Sequence, residues 1–327
     1  MKNIYSDDLY GEFELEDVLC RLIESAPIQR LKGVMQGGAS YLVCPEWNVT
    51  RYEHSLGVML LIRRLGGSLE EQIAGLLHDV SHTAFSHVVD TVLKRSEEDY
   101  HEEIFHTVIE DSEIPSLLQD YGYSTDLLNG DFFILEQNLP DLCADRIDYT
   151  LRDMYQQGKI TKDEALAFLR SLSVHEGKLY VRSLEHARWF VETYYKEVID
   201  YFLHPLNVYS YEALSSILKR ALECKIITMP DFLLDDAGLL QKVQKHGDEE
   251  IQRAVNELMN FSGELEETED DYEIHRISKL RLIDPLVMQD GRLERASVLS
   301  EEIRLMNQAA RERATKGVYL RVKGTVL

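Results

Sequence analysis

The sequence predicts a mainly α-helical protein with a minor β portion toward its C-terminus. Three observations carry that expectation. Apolar residues recur at helical spacing through most of the chain. Helix-start signatures stand ahead of those runs, and strand-like segments around turn residues are few and confined to the second half.

Taken in order, residues 53–65 place His54, Val58, Leu61, Ile62 and Leu65 on one face, and Gly66-Gly67 supplies a stop. Ser68 followed by Glu71 is a capping-box pattern for a second helix running into Leu76-Leu77-His78. Pro140 reads as a first-turn proline ahead of a helix from about Asp141 to Met154. Thr161 and Glu164 repeat the capping-box pattern before Ala165-Leu166-Ala167-Phe168. A longer helical stretch is predicted from Glu185 to Glu223, interrupted at His204-Pro205. Val174 to Arg182 reads as a hairpin around Glu176-Gly177. Pro285 to Ser300 around Asp290-Gly291, with Val318 to Val322, reads as a small sheet. The acidic run Glu264 to Glu273 reads as a solvated loop or a helix end, and there is no internal repeat.

The 327 residues fit a single domain, with a core at about 20–155 and a helical and small-sheet extension at about 156–327. The formal net charge is -23. So acidic a surface repels nucleic-acid backbones and anionic membranes, which argues against general nucleic-acid binding and against membrane association. An anionic substrate therefore has to be met by a local positive site, such as a metal ion. Cys20, Cys44, Cys143 and Cys224 are far apart and form no CxxC pair, so reduced thiols in a cytoplasmic setting are expected. The first residues turn acidic without an apolar run, so no signal peptide is expected, and no stretch of about 18 apolar residues suggests a membrane span.

Six of the 11 histidines, His54, His78, His82, His87, His101 and His106, fall in one short region. A lone histidine is usually a half-buried residue with one satisfied hydrogen bond. Here His78 is followed directly by Asp79 at the end of an apolar helix, so imidazole and carboxylate leave a hydrophobic wall together. A carboxylate there needs a compensating partner, and a divalent cation held by both side chains would supply it. His54 offers a second imidazole, and the segment Asp141–Asp153 is the best donor of a fourth ligand. Two imidazoles with two carboxylates suit an open site that keeps water positions. In that segment helical spacing puts Asp145, Tyr149 and Arg152 on one face and turns Asp148 partly away; a charged surface helix would show similar spacing.

The surrounding text resembles a known family. Arg51-Tyr52-Glu53-His54-Ser55-Leu56-Gly57-Val58, then Leu77-His78-Asp79-Val80-Ser81-His82-Thr83-Ala84-Phe85-Ser86-His87, then Asp145-Arg146-Ile147-Asp148-Tyr149-Thr150-Leu151-Arg152-Asp153 resemble the HD superfamily of metal-dependent phosphohydrolases. Within it they look like the deoxynucleoside triphosphate triphosphohydrolase branch, and Ala26-Pro27-Ile28-Gln29-Arg30-Leu31-Lys32 resembles that branch's opening motif. HD members of the cyclic-dinucleotide phosphodiesterase branch typically carry a lysine three positions after the dipeptide, where this chain has His82.

The resemblance implies an HD-domain helical fold and a divalent metal (Fe, Mn, Mg, Ni, Co or Zn) held by His54, His78, Asp79 and Asp145. It implies that His82 sits beside the triphosphate and that His101 and Asp90 are acid–base candidates. Gln36 and Tyr149 would contact the sugar, Asp153 its 3′ hydroxyl, and Arg51 and Arg146 the phosphates. The position of a branch tyrosine falls on Tyr201 or Phe202, which leaves the base unread. His87 and Asp90, three apart, form either an orienting pair or a helix-surface contact. His106 reads as structural. A histidine with a pKa near neutral would protonate the leaving group. A second metal using His82, His87 or His101 is compatible with the pattern, and relatives suggest a homo-oligomer. The competing functions are another phosphatase or phosphodiesterase on the same scaffold, and a nucleotide-binding protein without turnover.

Overall fold

The computed structural model describes residues 4–277 and 279–323. Helices carry the architecture, and among the described residues three small sheets lie at its margins. The central helix is Arg51–Arg64. Thr50 starts it with a complete capping box: its hydroxyl accepts from the Glu53 N–H at 3.1 Å, and Glu53 accepts from the Thr50 N–H at 2.8 Å. Residues 54–62 are all buried, so this helix is enclosed by its neighbours rather than lying on a surface. It packs against Leu69–Leu77 and Ala144–Gln156.

Ser68 caps Leu69–Leu77 as predicted, accepting from the Glu71 N–H. The Glu71 carboxylate does not close the box. It accepts from the backbone of Ile134 at 2.7 Å and Leu135 at 3.2 Å, and so fixes the loop before the next helix of the site. That helix begins at Ala144, not near Asp141; Pro140 lies in the preceding turn and has no first-turn role. The Thr161–Glu164 capping box is complete.

The long C-terminal helical stretch divides as Leu184–Tyr195, a wider π-type turn Lys196–Tyr201, and Pro205–Glu223. The break falls at His204-Pro205, where His204 Nδ1 accepts from the Leu206 N–H. One buried apolar group surrounds the central helix and includes Leu56, Leu60, Ile147 and Phe190. A second centres on Pro205–Glu223, with Phe85, Leu214, Phe232 and Leu239. Truncating a fully buried Leu60 to alanine should cost about 2–5 kcal/mol.

Leu172–His175 and Lys178–Val181 form the predicted hairpin, with Glu176 and Gly177 at φ of 46° and 72°. Leu286–Gln289 adds to it in parallel and turns back into Arg292–Arg295 through Asp290-Gly291. The first part of the acidic run is a correction: Glu264–Glu267 is a strand paired with Val318–Lys323, whereas 268–273 is the expected loop. Cations on and beside that partner make the pairing possible, since Lys323 meets Glu266 at 2.9 Å and Arg313 meets Glu267 at 2.9 Å. Ile4–Asp7 and Gly11–Glu14 form an N-terminal hairpin. Among the described residues, no helix is long and apolar enough to cross a membrane.

Candidate active site

A cavity of about 710 Å³ is lined from both halves of the chain. Arg51 and His54 enter from the central helix, and His78 and Asp79 from the end of the next. Asp145, Arg146, Tyr149 and Asp153 come from successive turns of Ala144–Gln156. Tyr194, Tyr201, Phe202 and Tyr211 complete the far wall.

The two imidazoles and two carboxylates singled out by the sequence meet at one point. His54 Nε2 lies 3.0 Å from Asp145 Oδ1 and 3.6 Å from Asp79 Oδ2. His78 Nε2 lies 3.4 Å from Asp79 Oδ1 and 3.6 Å from Asp145 Oδ1. Each ring is held from behind. His54 Nδ1 bonds Asp148 Oδ2 at 2.8 Å, and His78 Nδ1 bonds the Gly75 carbonyl at 2.8 Å. Both Nε2 atoms therefore turn to the shared point, and His78 Nε2 is buried with no hydrogen-bond partner. An orphaned imidazole nitrogen among two carboxylates and a second imidazole fits the donor set of a divalent cation.

Electrostatics agree with that reading. Burial disfavours a charged His54, but Asp145 and Asp148 outweigh it and hold the ring up at about 10. Burial likewise opposes a charged His78, and Asp79 reverses it and raises the ring. For Asp79, burial alone would favour the neutral acid; Arg51 and the neighbouring histidines drive it well below the carboxylate range. Without a metal, the protons on these rings compensate the carboxylates.

Beside this point His82, His87 and His101 cluster. His82 stacks on His101 with ring centres 3.9 Å apart, and His82 Nε2 meets Asp79 Oδ1 at 3.2 Å. Burial, then Arg51, hold His82 well below its ordinary value, while burial and His87 bring His101 down to about 3. The near-neutral value expected from sequence is therefore not found, because the two rings are buried among cationic groups. His87 Nδ1 lies 3.2 Å from Asp90 Oδ2. Asp90 itself is behind His87, outside the cavity lining, and also accepts from the Tyr100 N–H at 3.0 Å. His106 is exposed and away from the lining.

Arg51 donates to Asp79 Oδ2 at 2.6 Å and to the Ser86 hydroxyl at 3.0 Å. Arg146 faces the cavity while donating to the Asp141 carbonyl at 2.7 Å and to Glu136 at 3.3 Å. Elsewhere in the lining Gln36 Nε2 donates to Asp153 Oδ2 at 3.2 Å, and the Tyr149 hydroxyl meets that of Tyr194 at 3.4 Å. Tyr201 and Phe202 both line the cavity, so the sequence ambiguity between them is not an either-or.

Two features escaped the sequence reading. Arg152 does not share the cavity face with Asp145 and Tyr149; it is buried behind, donating to Asp148 at 2.9 and 3.1 Å and meeting Asp7 at 3.1 Å. Asp148, read as turned away, is thereby the carboxylate that orients His54. Its four-residue spacing to Arg152 was the available signal. The other feature is Arg276, Lys279 and Arg281, which line the cavity from the end of the strand Ile274–Arg276 and the loop after it. That basic run directly follows the acidic one in the sequence.

Comparison with known proteins agrees with this geometry. The HD domain family model matches residues 51–153, which spans the whole donor set. The uncharacterized protein YdhJ of Bacillus subtilis is 52% identical over 97% of this chain and 98% of its own. The metal-dependent phosphohydrolase cns2 of Cordyceps militaris is 33% identical over 87% of this chain and 85% of its own. A deoxynucleoside triphosphate triphosphohydrolase of Mus musculus is 25% identical over 73% of this chain, which spans 44% of that longer protein. The chain belongs to the HD-domain family of metal-dependent phosphohydrolases.

Proposed function

We propose that this phosphohydrolase cleaves deoxynucleoside triphosphates to a deoxynucleoside and inorganic triphosphate. The observation that carries the reading is the make-up of the cavity. Its lining combines the imidazole–carboxylate donors and the histidine cluster with Gln36, Tyr149 and Asp153, groups suited to a sugar. The lining has five cations, Arg51, Arg146, Arg276, Lys279 and Arg281, against six carboxylates. That ratio is far less acidic than the chain's 35 Lys and Arg to 58 Asp and Glu, and a bound divalent ion turns it positive. The resemblance to the Mus musculus triphosphohydrolase points the same way.

In this reading His54, His78, Asp79 and Asp145 hold the metal, which supplies charge neutralisation at a phosphate oxygen and a more acidic water. Water attacks the α-phosphorus, the bond from that phosphorus to the 5′ oxygen breaks, and the 5′ oxygen takes a proton. Arg51 and Arg146 donate to phosphate oxygens. His82 and His101 are neutral in the free protein; an arriving polyanion raises their proton affinity and lets them carry the proton. His87, steadied by Asp90, is the third candidate on that path. Gln36 and Tyr149 flank the sugar, and Asp153 accepts from its 3′ hydroxyl.

The test is product identification. Purified, metal-loaded protein is incubated with each of the four deoxynucleoside triphosphates, and inorganic triphosphate is the expected product. Orthophosphate from a nucleoside monophosphate, with no triphosphate released from any substrate, would replace this reading with a phosphatase on the same site. Nucleotide-dependent thermal stabilisation with no product under any metal would replace it with a binding protein.

A further inference from the structure

Glu197 is fully buried, and neither of its carboxylate oxygens has a hydrogen-bond donor. It stands on the wide turn Lys196–Tyr201, where an extra residue per turn displaces the backbone; such turns recur at functional sites. Its neighbour there is the Asp153 carboxyl, close enough for a hydrogen bond between the two acids. Asp153 lies in the cavity lining, 5% exposed, and accepts from Gln36 Nε2. Gln36 Oε1 is also buried without a partner.

Two carboxylates in contact, one fully buried and the other nearly so, with no cation bonded to either, strongly disfavour both being ionised. An uncompensated buried charge costs several kcal/mol, whereas a proton held between the pair turns the same contact into a hydrogen bond. Burial, then the Asp153 charge, push Glu197 well above the carboxylate range, and Asp153 is pushed up to about 6, burial again being the main cause. The pair titrates as a unit, with the proton resting mainly on Glu197.

We propose that Glu197 is a positioning residue that donates its retained proton to Asp153, fixing the Asp153 carboxylate as the acceptor for a substrate hydroxyl. The arrangement gives each part a defined job. Glu197 and the Gln36 amide hold the Asp153 carboxylate by donation, so its remaining lone pairs accept from the ligand. The pair carries one negative charge rather than two, which limits repulsion of a polyanionic substrate in the same cavity. Binding a hydroxyl fills a remaining lone pair of that fixed carboxylate, and an analogue lacking the hydroxyl leaves it open, which is a basis for discrimination.

This inference rests on the nucleotide reading for the identity of the hydroxyl, not for the proton. The experiment therefore has two arms on the full-length protein. In the first, infrared difference spectra of substrate-free wild type and Glu197→Gln are compared at neutral pH. The wild type should show the carbonyl stretch of a protonated carboxylic acid, and the variant should lose it; no difference between them overturns the proposal. In the second, deoxynucleoside triphosphates are compared with their 2′,3′-dideoxy counterparts. Glu197→Met, which cannot donate, should raise KM for the hydroxyl-bearing substrate about tenfold, the size of one lost hydrogen bond, with kcat nearly constant. The KM for the dideoxy substrate should stay, and Glu197→Gln, which still donates, should recover most of the discrimination. Equal shifts for both substrates, or equal behaviour of the two variants, would overturn the positioning role. If no triphosphate is turned over, the nucleotide reading fails and the infrared arm alone decides the shared proton.

Discussion

Asp148 Oδ2 lies 2.8 Å from Nδ1 of His54, on the opposite edge of the ring from Asp145. With Nδ1–H donating to Asp148, the Nε2 lone pair is committed to the cavity. Carboxylates behind a histidine fix its tautomer and raise its basicity, and losing one commonly lowers metal affinity 10- to 100-fold. Asp148→Ala should weaken divalent-metal binding by about that factor, and Asp148→Asn by less, since the amide oxygen can still accept. Metal titration followed by calorimetry measures both; unchanged affinity in Asp148→Ala would remove Asp148 from the site.

Gly57 makes that buried arrangement possible. A Cβ at this position would sit 2.0 Å from Asp148 Oδ1 and 2.1 Å from the Arg152 guanidinium. Alanine gains roughly 1 kcal/mol of helix propensity over glycine, so an open site would be stabilised by the change. Here overpacking against a buried ion pair should win. Gly57→Ala is expected to lower stability by about 1–3 kcal/mol and to weaken metal binding as well. Chemical denaturation with and without metal checks it, and a stabilised Gly57→Ala protein would contradict the packing argument.

The metal-free protein should be sensitive to alkaline pH. The folded value of His54, about 10, stands above its ordinary 6.5, so the proton binds more tightly in the folded state. The resulting stability is fully present below pH 6.5 and is lost as pH rises through about 10. A metal ligand must shed that same proton, so metal binding at pH 7 should release protons, and affinity should fall about tenfold for each unit that pH is lowered, per proton displaced. Calorimetry in buffers of different ionisation enthalpy counts the protons. Zero release at pH 7 would mean that His54 is already neutral.

Much of this was legible in the chain. An imidazole and a carboxylate side by side at the end of an apolar helix, His78-Asp79, marked a metal site, with His54 and the segment Asp141–Asp153 as further donors; which residue of that segment joins them, Asp145, came from the family resemblance. Hairpins at Glu176-Gly177 and Asp290-Gly291 were legible because positive φ selects few residue types. The strand at Glu264–Glu267 was not, since it depends on cations some 50 residues away. Nor were Glu197 and Asp148. Helical periodicity marks a charged residue as solvent-facing, and only tertiary packing turns it inward toward a partner from another element.

The N-terminal hairpin provides the last prediction. Tyr10 donates to Asp148 Oδ1 at 2.7 Å, and Asp7 meets Arg152 while accepting from the backbone of Leu9 and Tyr10, each at 2.8 Å. A chain of buried contacts therefore runs from Asp7 through Arg152 and Asp148 to His54. Removing the Tyr10 hydroxyl leaves Asp148 still held by Arg152, so Tyr10→Phe should cost about 1 kcal/mol of stability and weaken metal binding only a few-fold. Asp7→Ala removes one of the two carboxylates on buried Arg152 among the described residues, leaving Asp148, and should cost more, about 1.5–3 kcal/mol, the size of a lost charge-assisted hydrogen bond. If the hairpin reaches the metal only through Asp148, the effects are not additive. In an Asp148→Ala background, Tyr10→Phe should leave metal affinity unchanged, although it weakens binding in the wild type. The double-mutant cycle, read by metal titration, decides the point: additive losses would mean that Tyr10 acts on the site by another route.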